Sequence, residues 1–335
     1  MQPKDITKLA YLLYPHLMTA ETGEEIEALA ERIKSLQRGL LPEDEFAAIV
    51  SWLGNCAAIH KIDQTPMPMQ VPPEKIRAPD FIAFPLVEGI PRPVLIEVKS
   101  SDDESLDWSE EYLNSLKHFA EYVELPLLIA WKKWGIWTLV DCNHFVKNIT
   151  AYRLTFNKAL QEDLLSVLFR DVRIHMNPIL EFILDMDIID NVAGDAGDLL
   201  PEGKLEMLIT DAGFYMNGNK IKSDSPFDFA LFLATPNETE FLRTAKKKVR
   251  HIFRPTPDHG FTLSSVLVSQ LTSTVDNMSP NWHQILAKGK FPSSGREFRD
   301  ALSSSLNEGF VKYVLNIVPH TWPEFVPNME GSKPR

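Results

Sequence analysis

Between Cys56 and Asp141 the chain breaks into five short apolar runs, CAAIHKI, DFIAFPLV, PVLIEVKS, LPLLIAWKK and GIWTLVD. Each is bounded by Pro, Gly or charge, which is the signature of strands. Between the third and fourth lies SEEYLNSLKHFAEYVE, whose Tyr112, Leu116, Phe119 and Val123 recur on one helical face. A helix between two strands suggests a crossover that puts both strands in one sheet. The order helix, three strands, helix, two strands therefore predicts an α/β fold class, with a central mixed β-sheet flanked by helices.

The leading helix is expected in LPEDEFAAIVSWLGN, beginning near Glu43, with acids in its first turn where the helix dipole favours them. Upstream, residues 5–40 read as helical through Leu9, Leu12, Leu13, Ile26, Leu29 and Ile33. Beyond residue 145, ALQEDLLSVLF and NPILEFILDMDII read as helical. LEMLITDAGFYMNGNKIK reads as a hairpin turning at Asn217, Gly218 and Asn219. From Asn237 onward the period is mainly helical. These readings predict an N-terminal helical segment (1–40), an α/β core (41–148), a C-terminal α+β, mostly helical domain (149–323) that selects substrate or contacts a partner, and a loose tail (324–335).

With 335 residues, 44% of them hydrophobic and 24% charged, the chain can bury a large core and is not a disordered one. Its 2 cysteines, Cys56 and Cys142, are too few for a disulfide framework or a cysteine-based zinc site. No apolar run approaches bilayer length, so no membrane partner and a cytoplasmic location are expected. Neither GxxxxGK nor GxGxxG occurs, which argues against ATP hydrolysis by this chain. The formal net charge of −12 argues against coating nucleic acid by charge alone, though not against contact confined to a basic patch.

The chemistry concentrates on two of the predicted strands. Alternation places Glu97 and Lys99 on one face of VLIEVKS and Val98 on the other. Leu95, Ile96 and Val98 mark that strand as buried, where charges are costly unless they pair or bind an ion. VEGIPRP reads as a turn, and a hairpin centred between Glu88 and Gly89 sets Asp80 directly opposite Glu97, with Cβ atoms about 4.5–5.5 Å apart. Pro85, Pro91 and Pro93 are places where a bulge would shift this register. Carboxylates so close repel and need a cation or a proton between them. Two carboxylates, a backbone carbonyl and waters make a hard-oxygen site suited to Mg²⁺ or Mn²⁺. Beside it, Lys99 would orient or deprotonate an attacking water, or neutralise developing charge.

Pro79-Asp80, with Glu97-Val98-Lys99 beginning 17 residues after Asp80, resembles the PD-(D/E)xK motif of the restriction-endonuclease-like nuclease superfamily. The resemblance spans roughly residues 40–145. It implies a restriction-endonuclease-like core, with Asp80, Glu97 and the Val98 carbonyl as metal ligands and Lys99 assisting the water. It implies a further acid from the leading helix, Glu45 by position with Glu43 second. It also implies a polar residue on the helix after the motif, to which Lys117 is closest. The implied activity is that of a divalent-metal-dependent endonuclease acting on nucleic acid, chiefly DNA. The implied assembly is a homodimer or a component of a defence complex, in restriction or anti-phage defence. The alternative is a catalytically inactive nuclease-fold protein that binds nucleic acid or serves as a scaffold.

Candidate nucleic-acid contacts are Lys117, Lys132 and Lys133, the last two following a core strand, and Lys247 and Arg250 in the basic run TAKKKVRHIFRP. That run reads equally well as a solvated helix face. Trp108, Trp131, Trp134 and Trp137 suit core packing better than base stacking.

Overall fold

A computed structural model describes residues 42–63, 76–149, 151–189, 206–223, 225–257, 259–272, 282–291 and 293–326. The helical reading of residues 1–40 and most of the expected tail lie outside the described residues. The chain divides into two compact units. The first holds the described residues up to Asp171, with those in Ser279–Ser294 and Asn316–Arg335; the second spans Val172–Met278 and Gly295–Leu315. The first unit thus runs on through Asp171.

The first unit begins with helix α1, residues 42–53, followed by β1 (Cys56–Lys61), β2 (Phe81–Val87), the short β3 (Ile90–Pro91), β4 (Val94–Ser100) and β5 (Ser105–Ser109). Helix α2 (Glu110–Tyr122) leads into β6 (Leu127–Lys133) and β7 (Ile136–Asp141). The main sheet runs β1-β2-β4-β6-β7, with β3 against β2. Among the described residues of this sheet only β4 and β6 pair in parallel, as a crossover through α2 requires; β1–β2, β2–β4 and β6–β7 are antiparallel. Strands β4 and β6 are buried almost end to end, which explains why both read as near-continuous apolar runs. The expected mixed sheet flanked by helices is the observed one.

The β2–β4 hairpin turns on Glu88 (φ 53°) and Gly89 (φ 79°), two consecutive left-handed residues that match the twist of the strands they join. Phe81 pairs with Ile96, Ile82 with Leu95, Ala83 with Val94, Leu86 with Pro91 and Val87 with Ile90. The prolines therefore introduce no shift, and the register centred on Glu88–Gly89 is kept along the hairpin. The irregularity near this edge falls between β1 and β2 instead.

The two faces of the sheet carry different helices. On one, Leu113, Leu116 and Ala120 of α2 pack with Leu95, Ile129, Trp131 and Val140. Each fully buried leucine there contributes about 1.5–3 kcal/mol. On the other, Phe46 of α1 lies 5.1 Å from the Trp137 ring and 6.4 Å from Phe169. Helix α2 is fixed at its start by Ser109, whose Oγ accepts the Tyr112 N–H at 3.2 Å, with Glu110 and Glu111 in the first turn.

The second unit is α+β. After β8 (Val146–Lys147) and β9 (Ala151–Thr155), which join β5 in a small sheet of the first unit, and after β10 (Arg173–Met176), strands β11 (Leu180–Ile188), β12 (Met207–Met216), β13 (Asn219–Ile221), β14 (Asn237–Ala245) and β15 (Lys248–Pro255) form an antiparallel sheet ordered β13-β12-β11-β15-β14. The expected turn is present, with Asn217 and Gly218 at φ 51° and 77°. Two helical readings are corrected. NPILEFILDMDII is largely β11, the middle strand: its Leu180, Ile183, Leu184 and Ile188 fit helical spacing, but partners on both sides make it a ladder. The residues from Asn237 to Pro255, including the basic run, form the β14–β15 hairpin and present no helix face. No helix among the described residues is long and apolar enough to cross a membrane.

Candidate active site

Asp80 sits in a bend immediately before β2, one step beyond the Phe81–Ile96 pair. Continuing the register by that step sets it opposite Glu97. Because β2 has ended, the Val98 N–H is free of a strand partner on that side and donates to Asp80 Oδ2 at 2.8 Å. One further step would bring Pro79 opposite Val98. Pro79 has no N–H, so it offers nothing to the Val98 carbonyl, which leaves the strand on the same edge as the Val98 N–H. A proline and an aspartate in succession thus leave a main-chain oxygen and a carboxylate at one point of the sheet edge.

Glu97 is fully buried on the α2 face. Its Oε1 accepts from Lys99 Nζ at 2.6 Å and from the Tyr112 hydroxyl at 2.5 Å. Its Oε2 is buried with no hydrogen-bond partner among the described residues. A buried carboxylate oxygen left so is costly, and a cation is one partner that would satisfy it.

The electrostatics agree. Burial and the carboxylates of Glu97 and Glu43 push Asp80 up to about 7, against the lowering effect of the Val98 N–H and Lys99. Burial alone would pull the Lys99 ammonium down, but Glu97 and Tyr112 outweigh it and hold Lys99 above its ordinary value. Burial and the Glu97 charge push the Tyr112 phenol up to about 12. At neutral pH the site therefore holds a charged lysine, a protonated tyrosine and an aspartic acid near its midpoint. Lys99 keeps 30% of its side chain exposed and sets its ammonium against Glu97, beside the acids.

Among the described residues no three His, Cys, Asp or Glu side chains gather as a ligand cluster. The donors at this point are the Asp80 and Glu97 carboxylates and the Val98 carbonyl. All are hard oxygens, and with the unpartnered Glu97 Oε2 they fit Mg²⁺ or Mn²⁺.

The other sequence-derived candidates are placed as follows. Glu45 accepts from Trp137 Nε1 at 3.0 Å and pairs with Lys132 at 2.7 Å, contacts that lie on the α1 face, away from Glu97. Glu43, two residues earlier and about 200° around the helix, is the acid whose charge reaches Asp80; it also pairs with Lys61. Lys117 approaches Asn143 at 3.3 Å, about 140° around α2 from Tyr112. Lys133 has a fully buried side chain that pairs with Glu104 at 2.7 Å. In the second unit, Lys247 is exposed at the β14–β15 turn, and Arg250 is held by Asp185 through contacts of 2.7 and 2.8 Å. Trp108, Trp131 and Trp137 are buried; Trp134, at the β6–β7 turn, is 66% exposed.

Sequence reasoning missed two residues here. The sequence marks Tyr112 only as part of an apolar helical face, yet the Ser109 cap fixes the start of α2 and the Tyr112 hydroxyl reaches Glu97. Arg77, outside the motif, lays its guanidinium over the Tyr112 ring, 4.8 Å from the centroid.

Fold and site together define a mixed α/β protein with paired carboxylates and a lysine at the open end of a central hairpin. No family model and no curated protein matches the chain. A solved structure similar to it is that of Hjc, a Holliday junction resolvase from the archaeal hyperthermophile Archaeoglobus fulgidus. It has 16% sequence identity and a TM-score of 0.31, and the match covers 39% of this chain and 95% of that one. A likeness at that level leaves the reading of the site to the site itself.

Proposed function

We propose that this chain is a divalent-metal-dependent endonuclease of the PD-(D/E)xK type that hydrolyses phosphodiester bonds in DNA. The observation that carries the reading is the juxtaposition of Asp80, pushed up to about 7, with a fully buried Glu97 whose Oε2 has no partner among the described residues. Asp80, Glu97 and the Val98 carbonyl would hold Mg²⁺ or Mn²⁺. A cation so held supplies positive charge to a phosphate oxygen and acidity to a bound water.

The chain's own groups have separable tasks. The Val98 N–H fixes one oxygen of Asp80. Tyr112 and Lys99 fix one oxygen of Glu97 and leave the other available. Lys99, charged at neutral pH, acts by orienting water and countering negative charge as it grows on phosphate, not by taking a proton. Two copies would supply two sites for two strands, so a homodimer suits duplex cleavage. Restriction or anti-phage defence is the setting this reading suggests, by analogy of type.

The competing reading is an inert nucleic-acid-binding scaffold, favoured by the engagement of Glu97 Oε1 by both Lys99 and Tyr112. The two are separated by incubating supercoiled plasmid and circular single-stranded DNA with Mg²⁺, Mn²⁺ or EDTA, beside Asp80→Ala and Lys99→Ala. The proposal expects cleavage by the parent chain with metal, none with EDTA, and loss in both variants. Metal-dependent cleavage that survives both substitutions unaltered removes this site from consideration.

A further inference from the structure

We infer that Arg77 forms a phosphate-binding subsite beside the carboxylate pair, one that grips a phosphate of the DNA strand next to the bond being cut; this rests on the nuclease reading. The residue lies three positions before Asp80. Its main-chain N–H is anchored to the Ser115 carbonyl of α2 at 3.0 Å, and its guanidinium lies over the Tyr112 ring. Tyr112 in turn donates to Glu97. A single side chain therefore separates Arg77 from an acid of the proposed metal site.

Three features suit it to a phosphate. Its side chain is exposed. Placement over the Tyr112 ring, 4.8 Å from its centroid, restrains the guanidinium, whose planar N–H fork is of the kind that matches phosphate in two-point contact. Lastly, its guanidinium has no carboxylate in ion-pair range among the described residues, whereas Lys61, Lys132 and Lys133 are paired with Glu43, Glu45 and Glu104. A polyanion approaching Asp80, Glu97 and Glu43 in a chain of net charge −12 needs a local cation not already spoken for. Arg77 supplies it.

The test measures binding of a fluorescein-labelled single-stranded oligonucleotide and its duplex to the full chain by anisotropy. Ca²⁺ replaces Mg²⁺, the probe is checked for integrity, and salt is varied over several concentrations. Cleavage with Mg²⁺ is measured in parallel. Arg77→Ala is expected to weaken binding about tenfold and to flatten the salt slope by about 0.7 for the single strand or 0.9 for the duplex, the loss of one phosphate contact. Arg77→Lys should recover the slope but not the full affinity. Arg92→Ala, at another exposed arginine about 17 Å along the hairpin from Asp80, should match the parent. Circular dichroism confirms that each variant is folded. If the parent cleaves DNA and Arg77→Ala matches it in affinity and slope, or if Arg92→Ala loses as much, the subsite is refuted and the nuclease reading stands. If the parent neither binds nor cleaves, the nuclease reading fails and the subsite falls with it.

Discussion

The main-chain N–H of Val98 donates to Oδ2 of Asp80 at 2.8 Å, so the strand that carries one acid also orients the other. Neither carboxylate is positioned by a flexible loop. Each is tied to β4, Glu97 by the covalent chain and Asp80 by this bond, and a cation between them would meet a site formed before it arrives.

That arrangement makes stability depend on pH in a direction opposite to the usual carboxylate. Asp80 is raised from 3.8 to about 7, so the folded chain holds this proton more tightly than the unfolded one. The resulting contribution is complete below the unfolded value and is lost as pH rises through about 7. Asp80→Asn removes the titration while keeping an oxygen for the Val98 N–H. Without metal, the variant should gain on the parent between pH 4 and pH 8, by about 1–3 kcal/mol. Urea midpoints across that range measure it, and parallel pH curves for the two proteins would show that Asp80 is not raised.

On the proposed reading the same group governs metal affinity. Binding Mn²⁺ requires the ionised form of Asp80, so affinity should climb with pH up to about 7 and level off above it, with close to one proton released per ion near pH 6. Calorimetry in buffers of different ionisation enthalpy counts that proton. An affinity independent of pH from 5.5 to 8 contradicts the placement of the ion at Asp80.

Glu45 and Glu43 should separate by role. Glu45→Ala leaves the Trp137 N–H and the Lys132 ammonium without their carboxylate, and is expected to lower stability by about 1–3 kcal/mol with cleavage per folded molecule retained. Glu43→Gln removes a charge that raises Asp80, so the pH midpoint of Mn²⁺ binding should move down. Chemical denaturation and the binding curves together check both; loss of cleavage in folded Glu45→Ala would return that residue to the site.

Tyr112→Phe keeps the ring against Trp108 and beneath Arg77 but deletes the hydroxyl held by Glu97. The expected result is a fall in kcat of about tenfold with KM little changed, at a stability cost of about 1 kcal/mol. Steady-state kinetics on an oligonucleotide substrate give the split. A rise in KM alone would place the hydroxyl on the substrate instead of on Glu97.

The hairpin and its register were legible because short-range rules set them: Gly89 permits a two-residue turn, and strand alternation does the rest. Glu45 over Glu43 was not decidable, since two residues apart on a helix face nearly opposite directions and the sequence does not reveal the rotation of α1 about its axis. Segment 179–188 misled for a related reason: Leu180, Ile183 and Leu184 satisfy a helical period, and only the flanking β12 and β15 make the segment a strand. Tyr112 and Arg77 reach the site by tertiary approach of α2 and of the chain before β2, which no spacing within the motif encodes.

The Glu88–Gly89 turn also acts as a ruler. With no bulge in either arm, whether a residue between Asp80 and Glu97 is inserted or lost singly or in pairs decides if the acids still meet. A single added residue would carry one of them to the opposite side of the sheet, whereas two, one per arm, would lengthen the hairpin and preserve the encounter. Natural variation in this loop, if the site is in use, should respect that parity.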